Sequence, residues 1–138
     1  MFKDLGEKYG DYFYLVFRVL VGFSFFTHGA QKLLGWFGGV NGSAVPITLS
    51  IPPFGIAGVI EIVCGLLIAF GIFTRLAAFF GAIDMVGAWV FVHIPRGYVP
   101  LTNGGEAALL FLTCFLIMLM HGAKKWSMEQ KLMGGEKF

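Results

Sequence analysis

The stretch RVLVGFSFFTHGAQK, from Arg18 to Lys32, decides how the chain folds. It lies within an apolar run from Tyr12 to Leu34. That run is long enough to cross a bilayer, since a helix needs roughly 20 apolar residues to span about 30 Å of hydrocarbon. Yet it carries Arg18, His28, Gln31 and Lys32. A charge at the centre of such a helix costs on the order of 3 kcal/mol on insertion scales, so these groups must face protein or water. The rest of the chain has to supply their partners.

The composition agrees with a membrane setting. Of 138 residues, 57% are hydrophobic and 13% charged, with mean hydropathy +0.80. Soluble domains carry about 25% charged residues, and half that quota cannot coat a water-facing surface. The fold class is therefore an all-α membrane protein. Sixteen Phe and twenty Gly suit closely packed membrane helices. The net charge of +2 is spread over the ends and short loops, so nucleic acid is not a partner. Cys64 and Cys114 lie in apolar runs, where a thiol behaves as a small hydrophobe; a redox pair between them is the lesser alternative. Residues 1–11 mix acids and bases, and no A-x-A site ends the first run, so a cleavable signal is not expected. No phosphate loop, dinucleotide fingerprint, nucleophile elbow or zinc-protease motif occurs.

Four apolar segments predict an antiparallel bundle of four transmembrane helices, at about 12–34, 54–73, 76–94 and 106–121, in a single domain over 1–138. Residues 1–11 read as a short polar lead. The segment 35–53 contains Pro46, Pro52 and Pro53, which interrupt helix and make it a loop. Gly35–Gly39 reads as a turn and 95–105 as a second loop; the tail after His121 is polar and amphipathic. Lys3, Lys8, Arg75, Lys124, Lys125, Lys131 and Lys137 fall on the side of the termini, against Arg96 and Lys32 opposite. The positive-inside rule then puts both termini in the cytoplasm of a multi-pass inner-membrane protein.

The polar groups fall into two layers. At 1.5 Å rise per residue, His28 and Glu61 lie roughly 10 Å below the outer surface and Lys32 about 5 Å. His93 and Glu106 sit at the outer rim. All four helices thus bring an ionisable group to the outer half, and His28, Lys32, Glu61, His93 and Glu106 are the candidate lining of a polar pocket. Glu61 shares a face with Gly58, Gly65 and Ala69; on the first helix, Arg18, Gly22, Gly29 and Lys32 form a stripe. Small residues mark faces where helices approach closely. Nearer the cytoplasm, Arg18 and Asp84 are expected to form a structural ion pair locking the first helix to the third. The outer cluster is read either as packing charges or as a pocket that handles protons or a small ligand. Zinc ranks lower for want of a short ligand motif, and haem lower still because His28 and His93 are not at matched depth. No metal ligand and no catalytic residue is assigned.

These residues also resemble the DoxX family of small membrane proteins. The resemblance rests on R-x-x-x-G-x-x-F-x-x-H-G-x-Q-K-L (Arg18 to Leu33), E-x-x-x-G-L-L-I-A-F-G-I-F-T-R (Glu61 to Arg75), N-G-G-E (Asn103 to Glu106) and the tail G-A-K-K-W-S-M (Gly122 to Met128). The tail departs from the family's glycine-proline-glycine at Gly122-Ala123-Lys124. The resemblance implies a four-helix membrane bundle. It also implies a link to quinone and sulfur redox systems, since relatives occur in thiosulfate:quinone oxidoreductase and in a membrane scaffold for superoxide dismutase and a sulfurtransferase. Three functions follow. The first is an accessory subunit of a membrane redox system, quinone- or sulfur-linked, whose pocket passes protons or holds a quinone oxygen; if the chain is an enzyme, it is an oxidoreductase subunit linked to quinone. The second is a non-enzymatic scaffold anchoring a soluble redox partner. The third is a small-solute transporter, which would require a homo-oligomer.

Overall fold

The computed structural model describes residues 2–42, 46 and 54–135, and among these there are helices and turns but no strand. Helix α1 (Phe2–Leu34) has 33 residues and starts ten residues before the expected point. Nothing in the polar lead breaks it, and Lys3 and Glu7, one turn apart, stand 4.0 Å from each other. Such pairs support an exposed helix modestly. After Leu34 the chain turns through left-handed Gly35 (φ 66), Phe37 (φ 56) and Gly39 (φ 65), so Gly35–Gly39 is indeed a turn. The loop reading around Pro52 and Pro53 lies outside the described residues.

Helix α2 (Phe54–Phe70) stops three residues early. Gly71 takes a left-handed φ of 69°, the usual device for ending a helix without steric cost. Helix α3 then starts two residues early and runs Thr74–Ala88. It continues through a π-helical turn, Trp89–His93, and a 3-10 turn to Arg96. The 95–105 loop contains one helical turn, α4 (Pro100–Asn103). Helix α5 (Glu106–His121) has the expected limits. In the tail, α6 (Met128–Met133) is capped by Ser127, whose Oγ accepts from Gln130 N at 3.1 Å.

Two segments, Phe2–Leu34 and Thr74–Arg96, are long and apolar enough to cross a bilayer; Phe54–Phe70 and Glu106–His121 are shorter apolar helices. The four pack side by side. α1 lies along α2, α2 meets α3 and α3 lies along α5, while α1 and α3 face each other only across the diagonal. Glycine sets the closest seam. A Cβ on Gly65 would stand 2.5 Å from Phe26 N, and one on Gly29 would stand 2.6 Å from Gly58 O. The small-residue stripes of α1 and α2 therefore meet backbone to backbone, as such stripes do in membrane helices.

The centre holds Phe25, Ile68, Phe115 and Met118 among small Ala77 and Ala78. Larger apolar side chains point outward, among them Phe13, Leu20, Phe23, Phe91 and Met120. An apolar exterior around a core partly built from alanine and glycine is the reverse of a water-facing surface. This is a membrane protein.

Candidate functional site

The glycine seam determines what meets at the C-terminal half of α1. With Gly29 against Gly58, the helices are close enough for Lys32, in the last turn of α1, to reach Glu61 in α2. Lys32 Nζ donates to Glu61 Oε1, with the side chains 20% and 3% exposed. Among the described residues, Glu61 Oε2 has no hydrogen-bond partner although it is buried, and the same holds for Asp84 Oδ2.

This ion pair is a wall shared by two cavities. The inner one, about 180 Å³, is lined by Phe25, His28, Lys32, Glu61, His93 and Phe111, among others. The outer one, about 460 Å³, is a groove between α2 and α3 lined by Lys32, Ile60, Glu61, Ile83, Asp84 and Phe91, with His93 and Arg96 towards its end. Ile83 and Phe91 are exposed on the bundle's outer face, so the groove opens sideways. Its walls are apolar and its polar groups are few.

Four of the five expected pocket residues come together: His28, Lys32, Glu61 and His93. The His28 ring meets Phe111 edge-on at 5.4 Å. His93 Nδ1 lies 3.2 Å from Asn103 O. Glu106 does not join them; it is exposed at the first turn of α5 and lines neither cavity. A carboxylate at the start of a helix is favoured there by the dipole.

Sequence reasoning passes over Asn103, which is 3% exposed. Its Nδ2 donates to Gly97 O at 2.7 Å and its Oδ1 accepts from Gly105 N at 2.7 Å. The side chain thus folds the 95–105 loop, and the loop presents the Asn103 backbone carbonyl to His93. The signal available was its place before two glycines, where an Asn side chain can bond the backbone two residues on.

The expected Arg18–Asp84 pair is not formed. Arg18 is 1% exposed and donates to Ile68 O at 3.1 Å and Trp126 O at 3.0 Å. Two geometric facts separate it from Asp84. The helices that carry them are diagonal, and Asp84 lies ten residues beyond Thr74, about 15 Å along α3. Arg18 instead belongs to a floor made by the α2–α3 turn and the tail. There Glu129, 1% exposed, accepts from Phe73 N at 3.0 Å, and Glu129 N donates to Gly71 O at 3.1 Å. Tyr14 Oη donates to Gly122 O at 2.7 Å. Glu129 too goes unnoticed in the sequence. Its signal is indirect: α3 is preceded by Phe73, which offers no side-chain cap, so the N–H groups at its start need an acceptor from elsewhere.

Cys64 and Cys114 are both free thiols, on helices α2 and α5 that stand diagonally. His121 ends α5 at the exposed rim, its ring 6.1 Å from that of Tyr14. Among the described residues, no three His, Cys, Asp or Glu side chains gather as metal ligands do.

The profile of the family described as DoxX matches residues 13–94. That region holds Arg18, His28, Lys32, Glu61, Asp84 and His93; Asn103, Glu106 and the tail lie beyond it. An uncharacterised protein of Haemophilus influenzae is 37% identical over 131 residues, covering 91% of this chain and 94% of its own. An uncharacterised membrane protein of Mycobacterium tuberculosis is 31% identical over 127 residues, covering 83% and 78%. A Bacillus subtilis protein named "Putative oxidoreductase CatD" is 26% identical over 125 residues, covering 89% of each chain. No solved structure matches the chain. From the match over most of its apolar core and the relatives that span it almost end to end, the chain belongs to the DoxX family.

Proposed function

We propose that the chain is a single four-span domain of the bacterial inner membrane, with both termini cytoplasmic, acting as an accessory subunit of a quinone-linked redox system. The observation that carries this reading is the Lys32–Glu61 pair standing between an inner polar cavity and a groove that opens sideways between α2 and α3. A lipid-soluble ligand reaches such a groove from the bilayer, lays its apolar body against Ile60, Ile83 and Phe91, and brings its polar head to Lys32, Glu61 and Asp84. Ligand sites commonly combine apolar walls with a few convergent polar groups, and an intramembrane ionisable residue is a functional candidate by default. His28 lines the inner cavity, on the far side of the pair, and His93 lines both cavities, so the two pass a proton between that cavity and the outer face. The name of the Bacillus subtilis relative supports a redox role.

The test is quinone reduction by membranes containing the wild type, Glu61→Gln or His28→Ala. We expect both variants to lose most of the activity that depends on this protein. Full activity in both refutes the site.

A second reading, a scaffold for a soluble redox partner, is favoured by a different observation. The tail exposes Trp126, Met128, Leu132 and Met133 beside Lys124, Lys125 and Lys131. Co-purification of a redox protein that is lost on removing residues 122–138, but kept in Glu61→Gln, would choose the scaffold.

A further inference from the structure

We infer that Asn103 is a positioning residue: through the 95–105 loop it holds His93 as the tautomer with hydrogen on Nδ1, which leaves Nε2 to take the proton. This rests on the proton-passing role given to His93 above and deepens it by naming the nitrogen that receives the proton.

His93 is held by two elements. It closes the π-helical turn Trp89–His93, a kind of turn frequent at functional sites, and the Trp89 ring lies beside it with centroids 6.3 Å apart. Its Nδ1 lies 3.2 Å from Asn103 O. That oxygen belongs to the last residue of the one-turn helix α4, and the final carbonyls of a helix have no partner within it. A carbonyl only accepts, so the hydrogen between the two atoms is on Nδ1. A neutral imidazole carries one N–H, and Nε2 is then the bare acceptor.

The Asn103 side chain makes this geometry. It is buried, and its bonds to Gly97 O and Gly105 N close the loop on either side of the residue whose backbone oxygen His93 uses. Gly104 follows with a left-handed φ of 74°. A Cβ on Gly105 would stand 2.6 Å from the Trp89 ring and 2.8 Å from Asn103 Oδ1. The loop, Trp89 and His93 therefore pack as one unit. With Nδ1 committed, Nε2 is the ring atom left for hydrogen bonding in the two cavities that His93 lines. A proton taken up by the ring is bound there and given up from there, while Nδ1–H keeps its bond to the loop. In water the neutral ring prefers its hydrogen on Nε2; in a protein the bond made by one nitrogen decides the state of the other.

The experiment is magic-angle-spinning NMR of the full chain in lipid bilayers, with isotope-labelled histidine rings, at alkaline pH where histidine is neutral. The His93 signals are those missing from His93→Gln. The Nδ1–H form should be the major species in the wild type. Asn103→Ala should shift the ratio towards Nε2–H by roughly fivefold, the worth of one hydrogen bond. Gly105→Ala should shift it the same way, because its Cβ cannot enter without moving the loop. Asn103→Asp, which keeps the acceptor for Gly105 N, should retain part of the preference. Thr102→Ala, which removes an exposed bond to Val99 O in the same loop, should leave the ratio unchanged. Helical content of each variant is checked by circular dichroism; if Asn103→Ala does not fold, the wild type and Gly105→Ala decide. A wild type with its hydrogen on Nε2, or an unchanged ratio in the folded variants, overturns the inference. No quinone enters this measurement, so its failure is distinct from a failure of the quinone-reduction test.

Discussion

Replacing Lys32 by Met isolates the energetics of the candidate site. Glu61 is then left 3% exposed with neither oxygen bonded, because Oε2 already lacks a partner among the described residues. Removing one partner of a buried pair typically costs 3–5 kcal/mol, since the remaining charge stays uncompensated. The Lys32 side chain is itself 20% exposed, so water reaches this edge of the bundle and the lower figure, about 3 kcal/mol, is the better expectation. Glu61→Leu should cost less, about 1 kcal/mol, because the lysine stem is long enough to carry its charge towards the interface. The double variant Lys32→Met/Glu61→Leu leaves no buried charge and should come within about 1 kcal/mol of the wild type, as apolar replacements of buried pairs often do. Unfolding in mixed micelles by titrated SDS, followed by circular dichroism, gives all three values. The signature is a double variant more stable than Lys32→Met alone. If the two single losses simply add, within about 0.5 kcal/mol, the pair is not an energetic unit and the reasoning from its geometry fails.

Three further outcomes are expected. Arg18→Met removes the donor that ties Ile68 O to Trp126 O, so trypsin should cut after Lys124, Lys125 or Lys131 at least about tenfold faster, while Asp84→Asn leaves the rate unchanged; equal effects would restore the ion pair that the structure lacks. Gly65→Val places a side chain where a Cβ alone would come within 2.5 Å of Phe26 N, which should cost about 1–3 kcal/mol or more by overpacking and is read as a lower unfolding midpoint. Just before the apolar run of α1, Lys125 Nζ is 2.9 Å from Asp11. The hydrogen bond to Lys125 holds the Asp11 carboxyl below its ordinary 3.8, and the hydrogen bond to Asp11 holds Lys125 above its ordinary 10.5. The lowered carboxylate stabilises the contact above pH 3.8 and loses it as pH falls through the folded value. The raised ammonium stabilises it below pH 10.5 and loses it as pH rises through the folded value. Fluorescence of Trp126 as sole tryptophan, packed 5.5 Å from Tyr12, should therefore be flat between those limits and change outside them; a transition near neutrality would contradict this.

The sequence showed the helices well because their apolar runs are separated by glycine, proline and charge, and α5 fell within its expected limits. The ends that moved have local causes. Lys3 and Glu7 let helix extend through a lead that looked merely polar, and Gly71 ends α2 before the apolar run does. The outer cluster was legible because small residues at Gly29 and Gly58 fixed which faces of α1 and α2 meet. Depth alone put Arg18 near Asp84. What depth could not supply was neighbour order: α1 packs on α2 and stands diagonal to α3, so similar heights did not mean contact. Glu129 and Asn103 were hidden for another reason, since each satisfies backbone groups of a distant turn, and such partners leave no periodic trace.

The two polar layers differ in what they bond. Each holds buried side-chain atoms with no partner among the described residues, Arg18 Nε and Thr74 Oγ1 in the floor, Glu61 Oε2 and Asp84 Oδ2 in the other. But Arg18, Glu129 and Tyr14 bond backbone groups, whereas Lys32 and Glu61 bond each other. In the floor, Arg18 spends its guanidinium on two carbonyls, Glu129 receives the first free N–H of the α2–α3 turn, and Tyr14 bonds Gly122 O. These contacts join backbone ends that would otherwise be unpaired, which is a sufficient reason for burying them. The outer layer is arranged otherwise. Lys32 and Glu61 bond each other, yet Glu61 Oε2 and Asp84 Oδ2 have no partner among the described residues, and both residues border a groove. Among the described residues, no backbone group is bonded by Lys32, Glu61 or Asp84, so the described backbone gives no reason for Asp84. An apolar residue at that position would pack against α2 at lower cost. A carboxylate that borders the groove without bonding a backbone group is what marks this layer, and not the floor, as the candidate site.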